Sequence, residues 1–255
     1  MKLRLVDSGA AGALPGAINM GIDEALLGSV SRGESPPVLR LYRWSPPCVT
    51  VGYFQSLDAE VDLEACRAHG VDAVRRLTGG GAVYHDGEIT YSIVLPLGHE
   101  LAPDDILESY RRICAGLVRS LAILGVDAAF QPINDIAAGG KKISGNAQTR
   151  RQGCVLQHGT VLLDLELERM FSILKVPAEK IKGRLIEDVK ARVTSLRTIL
   201  GRPVAYGEAA RAIIGGCSSA WGAELSPLAL SPAEEAEARR LASERFSSPV
   251  WNHRR

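Results

Sequence analysis

RRLTGGGAVYHD, Arg75 to Asp86, places three consecutive glycines between two runs of strand-forming residues, Val71–Arg75 and Ala82–His85. The glycines therefore link strand to strand. A dinucleotide fingerprint needs GxGxxG opening a helix, and a Walker loop needs GK followed by Ser or Thr, so neither applies. Gly79, Gly80 and Gly81 remove every Cβ from a stretch of backbone, whose N–H groups can then approach a carboxylate, a phosphate or a flat acyl chain. On its own the triplet reads first as a tight turn in a sheet. Its neighbours change that reading. Strand side chains alternate faces, so one of Arg75 and Arg76 looks into the site, and Arg76 is the one expected there to meet a carboxylate or phosphate. Ala82 continues the same wall. For His85, a hydrogen bond to Asp86 that fixes the hairpin stands beside a catalytic role.

Working outward, Leu3–Val6 predicts a strand and Asn19–Val30 a helix with apolar residues at helical spacing. Val38–Trp44 alternates, Pro46-Pro47 interrupts, and Cys48–Val51 resumes, which predicts two adjacent strands. Asp62 caps a short helix that ends at Gly70. Beyond the glycine loop come a strand at Ile89–Leu95 and the longest helical pattern, Asp104–Leu124, which Gly125 closes. Asn134–Ala137 and Lys141–Ala147 form a hairpin around Ala138-Gly139-Gly140, followed by a strand at Cys154–Leu163. Helices are predicted at Leu167–Leu174, Gly207–Trp221 and Ala233–Phe246, the last with Pro232 near its start. Strands followed by helices, with no repeat and no low-complexity linker, predict one α+β domain over residues 1–255.

The hairpin NDIAAGGKKISGNAQ, Asn134 to Gln148, holds the second constellation. Lys142, Ser144 and Asn146 share one face and Lys141, Ile143 and Gly145 the other. A lysine with small neighbours can sit on a carboxyl oxygen or phosphate as negative charge builds. A lysine beside a glycine turn is by itself a solvated edge charge, so its company has to decide. His158, in VLQHGTVLLDL, reads as a core histidine satisfied by hydrogen bonds, while Gly159 lets another backbone or a ligand pass close.

The bulk properties exclude more than they assign. Thirty Lys and Arg against 29 Asp and Glu leave a net charge of +1, so no global field selects nucleic acid or a membrane. The five cysteines fall in no CxxC spacing, which argues against zinc and for a reducing, cytoplasmic setting. No apolar run is long enough for a membrane span or a signal peptide.

RRLTGGGAVYHD, then ND-I-x-x-x-G-K-K-I-S-G-N-A-Q, then QHGTVLL, in that order, resemble the lipoate-protein ligase catalytic domain, a relative of biotin-protein ligase. NMGIDEALL, VLRLYRW, VGYFQ, LKVPAEKIKGR (Leu174 to Arg184) and PVWNHRR extend the resemblance over nearly the whole chain. It implies a mixed, largely antiparallel sheet flanked by helices. It also implies an enzyme that activates lipoate or octanoate with ATP and Mg²⁺ to an acyl-adenylate. The acyl group then passes to a lysine of a 2-oxoacid dehydrogenase E2 lipoyl domain or of glycine-cleavage H protein. Carried over residue by residue, Lys142 is the catalytic lysine. Arg76, Gly79, Gly80, Gly81 and Ala82 enclose the acyl chain. His85, Asn134 and Asp135 lie around the adenylate and metal, with Asp135 the candidate Mg²⁺ ligand, and Gly145 and His158 complete the substrate- and adenylate-binding set.

The same family holds octanoyl- and lipoyl-transferases that dispense with ATP and work through a cysteine thioester. The GKKISGNAQTRRQGCVLQHG stretch and EITYS fit that branch too. The intact glycine triplet, Asn134-Asp135 and the lack of a cysteine between Ala128 and Asp135 favour the ligase. Cys154 is the nearest candidate nucleophile but reads as a small core residue. With only a helix after the catalytic region, the ligase reading also expects a separate accessory-domain protein. A binding module without chemistry is the remaining alternative.

Overall fold

The computed structural model describes residues 1–175 and 179–255, and from 179 to 185 the backbone alone. Of the motif Leu174 to Arg184, therefore, 176–178 and the side chains of 179–185 lie outside the described residues.

Eleven strands are described: β1 Lys2–Asp7, β2 Val38–Tyr42, β3 Cys48–Val51, β4 Asp72–Arg75, β5 Val83–His85, β6 Glu88–Pro96, β7 Ala128–Gln131, β8 Asp135–Ala138, β9 Lys141–Arg151, β10 Cys154–Leu162 and β11 Glu224–Pro227. Eight of them form one sheet in the order β11-β1-β2-β6-β10-β9-β8-β7, and the other three form a small sheet, β4-β3-β5. In the large sheet β1 runs parallel to β2 and β11, and the remaining pairs are antiparallel. The mixed, largely antiparallel sheet flanked by helices is what the resemblance implied.

Helices cover both faces of the sheet. On one, Ile106–Ile123 and Tyr206–Trp221 bring Ile113, Leu117, Leu121 and Ile213 against Leu39, Leu41, Ile93 and Val155. On the other, Gly16–Ser31 and Pro232–Leu241 bring Met20, Leu26, Leu27 and Leu241 against Val38, Val94 and Leu156. This double cover explains β2, whose alternating sequence implies one wet face yet whose five residues are all buried. The polar member, Arg40, is compensated by an ion pair with Asp23 at 2.7 Å and by Asn19, whose backbone carbonyl and side-chain oxygen both accept from it.

β2 and β3, expected to be neighbours, lie in different sheets: the Pro46-Pro47 segment carries the chain out of the large sheet into the small one. Asp62 does cap its helix, accepting from the N–H groups of Glu64 and Ala65, and Gly70 ends it at φ 61°. The helix predicted over Ala233–Phe246 runs from Pro232 to Leu241, where a π-helical turn over Ala242–Phe246 takes over, and a short helix, Pro249–Asn252, follows. The start at Pro232 carries a capping box, Ser231 with Glu234, which the sequence reading passed over.

Candidate active site

β6, β10 and β9 run side by side, and the glycine loop leaving β4 joins their face through Thr78, whose hydroxyl lies 2.6 Å from His158 Nε2 on β10. Between loop and sheet is a cavity of about 460 Å³, within the usual size of a small-ligand site. Met20, Leu167, Met170, Phe171 and Leu174 supply apolar wall, and Lys142 and Asn146 supply polar wall.

Lys142 reaches this cavity because of an irregularity. The β8–β9 ladder slips between Ile136 and Ala137, so that Ser144 opposes Ile136 but Lys142 opposes Ala137, leaving Ile143 as the extra residue. Such a bulge re-aims the side chains around it. Lys142 thereby leaves the strict alternation with Ser144 and folds over Gly145, where a Cβ would stand 2.7 Å from its Nζ. Asp135, paired with Gly145 across the ladder, holds Nζ at 2.7 Å. Asp135 Oδ1 is buried and accepts no well-aligned hydrogen bond, so the lysine charge is what offsets its burial.

Asn146 is the residue that sequence reasoning placed on the right face without giving it a role. Its side-chain N–H donates to the Asn134 carbonyl at 2.9 Å, and its Oδ1 accepts from the Tyr91 hydroxyl at 2.7 Å. Asn134 answers by donating to the Asn146 carbonyl. Gly159, opposite Asn146, has no room for a side chain, since a Cβ would meet Asn146 Oδ1 at 2.1 Å and the Gly145 carbonyl at 2.8 Å.

Arg76 does face the cavity, and it is buried, but its guanidinium is committed to the protein. Nη2 donates to the carbonyls of Gly79 and Gly81, both at 2.7 Å; Nη1 donates to Thr50, at its carbonyl and its hydroxyl; Nε donates to the Thr78 hydroxyl. Burial lowers its pKa to about 10. It braces the loop, and the expected carboxylate clamp is not what its donors do. Arg75, on the opposite face, binds the carbonyls of Gly52, Gln55, Trp251 and Asn252 and so ties down the carboxy-terminal turn.

Two buried relays converge on Arg76. Asp23 faces His158 Nδ1 at 3.4 Å and His158 Nε2 meets Thr78; Glu88 faces His85 Nδ1 at 2.5 Å and His85 Nε2 meets Thr50 at 2.9 Å. Each threonine oxygen accepts from Arg76, so each hydroxyl proton points at its histidine and each histidine carries its proton on Nδ1. Burial lowers the His158 pKa, consistent with a neutral ring. The His85 partner is thus Glu88 and not Asp86, which instead accepts from the Tyr84 hydroxyl. Trp44 stacks on His85 with ring centroids 4.1 Å apart.

Of the residues singled out from sequence, Arg76, Gly80, Gly81, Ala82, His85, Asn134, Lys142, Gly145 and His158 line the cavity. Gly79 contributes its carbonyl to Arg76 from outside the wall, and Asp135 stands behind Lys142. Asp135, the candidate Mg²⁺ ligand, has its carboxylate paired with the Lys142 ammonium at 2.7 Å. Tyr42, Trp44, Thr50, Met170 and Phe171 also line the cavity and carried no local signal. Among the described residues no helix is long and apolar enough to cross a membrane.

Comparison with known proteins separates what the geometry leaves joined. Residues 15–218 match the lipoyl protein ligase A/B catalytic domain. The octanoyltransferase LipM of Symbiobacterium thermophilum is 40% identical, covering 99% of this chain and 98% of its own, and other bacterial relatives at 33% to 40% identity bear the same name. Among solved structures, the bi-partite lipoate protein ligase of Thermoplasma acidophilum, described with its E2 lipoyl domain, has a TM-score of 0.86 at 33% identity, covering 99% of this chain and 95% of that one. A lipoate-protein ligase A bound with ATP has a TM-score of 0.83 at 32% identity, covering 99% of each chain. The relatives' name overturns the ATP-dependent ligase expected from the sequence. Of the features that favoured the ligase, Asn134 secures Asn146 and Asp135 secures Lys142. The chain belongs to the lipoyl protein ligase A/B catalytic-domain family, as an enzyme of its ligase and octanoyltransferase group.

Proposed function

We propose that this enzyme is an octanoyltransferase that needs no ATP, moving an octanoyl group from a thioester-linked carrier to the ε-amino group of a lysine on a lipoyl domain or glycine-cleavage H protein. The observation that carries the reading is the set of whole-length relatives named octanoyltransferase, and the apolar cavity with the Lys142 ammonium at its polar wall supplies the acyl site. A saturated chain fills the part walled by Met20, Met170 and Phe171, and the acyl carbonyl comes to rest at Lys142. As the carbonyl carbon becomes tetrahedral its oxygen gains charge, and a pre-positioned cation stabilises that state more than the ground state. The braced glycine loop supplies the facing wall and keeps water from the acyl group. The accessory-domain protein was expected for the adenylate step and goes with it.

The test is a paired incubation with an apo lipoyl domain, one arm holding octanoyl-acyl carrier protein without ATP and the other octanoate or lipoate with ATP and Mg²⁺. Octanoylation is expected in the first arm. A mass gain on the lipoyl domain only in the second would overturn the reading.

A further inference from the structure

β6 carries EITYS, Glu88 to Ser92, and each of its polar side chains engages a different partner around the site: Glu88 meets His85, Thr90 accepts from Trp44, Ser92 donates to Asp23, and Tyr91 donates to Asn146. Tyr91 stands apart from the other three. It is buried in the core cluster with Ile93, Ile113 and Cys114 and forms no part of the cavity wall. Its partner is two strands away. Tyr91 on β6 pairs with Gly159 on β10, and Gly159 pairs with Asn146 on β9, so the three make one row across the sheet. Paired positions share a face, and two strand spacings are ~9–10 Å, which a phenol and an amide can close over an empty middle position. Gly159 leaves that position empty, since a Cβ there would stand 2.1 Å from Asn146 Oδ1. Burial raises the phenol well above its ordinary value, so the hydroxyl keeps its proton. It donates to Asn146 at 2.7 Å and accepts from Gln157 Nε2 at 2.6 Å.

We infer that Tyr91 is a positioning residue for Lys142, acting through Asn146 and Asn134. The inference rests on the transferase reading, in which Lys142 meets the acyl carbonyl. With Oδ1 held by the Tyr91 hydroxyl, the Asn146 amide has one orientation, its side-chain N–H towards the Asn134 carbonyl at 2.9 Å. The backbone N–H of Asn146 donates to the same carbonyl at 3.0 Å, and the Asn134 side chain donates back to the Asn146 carbonyl. These bonds clasp residue 134 to β9. The next residue is Asp135, whose carboxylate holds Lys142 Nζ at 2.7 Å. A tyrosine that lies outside the cavity wall therefore fixes where the ammonium stands. Without its hydroxyl the Asn146 amide can turn, the clasp loosens and Lys142 has more than one resting place.

Tyr91→Phe removes the hydroxyl and keeps the ring. Octanoyl transfer from octanoyl-acyl carrier protein to an apo lipoyl domain, without ATP, is expected to lose about tenfold or more in kcat, with the donor KM within about twofold of the parent. Reductive methylation of the substrate-free enzyme with formaldehyde and cyanoborohydride, read by peptide mass, follows Lys142 itself. Its labelling is expected to quicken about threefold relative to Lys190, which is likewise half-exposed and paired with a carboxylate, Glu187. A general loosening of the fold speeds both lysines and leaves the ratio as it was. An unchanged ratio, or a kcat within about twofold of the parent, would overturn the inference. If no amide forms without ATP, the transferase reading fails, and the labelling ratio alone decides whether Tyr91 places Lys142. Should the Tyr91→Phe chain not fold, Asn134→Ala, at the half-buried end of the clasp, takes the same measurements, and an unchanged ratio there overturns the inference equally.

Discussion

Gly145→Ala separates the chemistry of the site from its stability. A Cβ at this position would stand 2.7 Å from Cε and Nζ of Lys142, and the next nearest atom, Asp135 Oδ1, is 3.7 Å away. What it strikes is the end of a flexible side chain that is 43% exposed, so the lysine can swing aside while the backbone stays. The backbone of Gly145 is not left-handed, and replacing glycine by alanine at a compatible site stabilises a protein by ~0.4–1 kcal/mol through the unfolded chain. Against this stands the part-exposed Lys142–Asp135 pair, worth ~0–1 kcal/mol. The two nearly cancel, and for a chain of this length the expected change in Tm is within about 3 °C. Catalysis has no such offset. Removing one pre-positioned group from an oxyanion costs about 2.7–4 kcal/mol, a loss of ~10²–10³ in kcat. The assay is octanoyl transfer to an apo lipoyl domain followed by intact mass, beside a thermal melt of the same preparation. A variant that melts like the parent and transfers within threefold of its rate would refute the role given to Lys142.

Gly159→Ala should behave in the opposite way, because its Cβ meets the Gly145 carbonyl at 2.8 Å as well as Asn146 Oδ1, and strand backbone cannot swing aside; overpacking of this kind costs ~1–3 kcal/mol, read as a lower midpoint in urea. Thr78→Val leaves Arg76 Nε and His158 Nε2 without their shared partner, at ~1–3 kcal/mol for each buried group left unsatisfied; faster proteolysis in the glycine loop is the expected sign, and an unchanged cleavage rate would remove the relay's role. Stability should also fall on acidification through Glu234. Burial alone would raise its carboxyl, yet hydrogen bonds from Arg4 and from the Ser231 N–H outweigh it and hold the pKa at about 2, so its contribution is complete above the ordinary glutamate value of ~4.3 and is lost as pH falls from there towards 2. Urea midpoints measured between pH 6 and pH 2.5 should decline more steeply for the parent than for a Glu234→Gln chain, and parallel declines would contradict this.

Much of the architecture was legible because local signals agreed with the tertiary result. The capped helix from Leu63 to His69, the strands either side of the glycine loop and the long helix after Asp105 all carry their boundaries in the sequence. The partition into two sheets was not legible, because β2 and β3 both read as runs of strand-forming residues and only the path between them sends one away. In the site, Lys142 and the glycines were visible as residue types, whereas the bulge that aims the lysine depends on how β8 and β9 pair. The wall made by Met20, Met170 and Phe171 had no signal at all, since apolar residues on a helix read as core until something hollow is found beside them.

The choice between ligase and transferase was illegible for a chemical reason. Both reactions take the acyl carbon through a tetrahedral state, and both gather negative charge on the same oxygen. Lys142, the loop that Arg76 braces and the apolar pocket serve that shared state equally. In acyl transfer the leaving group differs, a phosphate in one case and a sulfur in the other, and the ligase alone must first join a carboxylate to a nucleotide. An Arg76 clamp on phosphate or carboxylate was expected at that point, but its N–H groups are spent on Gly79, Gly81, Thr50 and Thr78. A guanidinium so committed tells the reader that the loop is rigid and nothing about what leaves. Discrimination therefore rests on side chains that touch the departing group, and a motif built to hold the acyl end of the substrate cannot report on it.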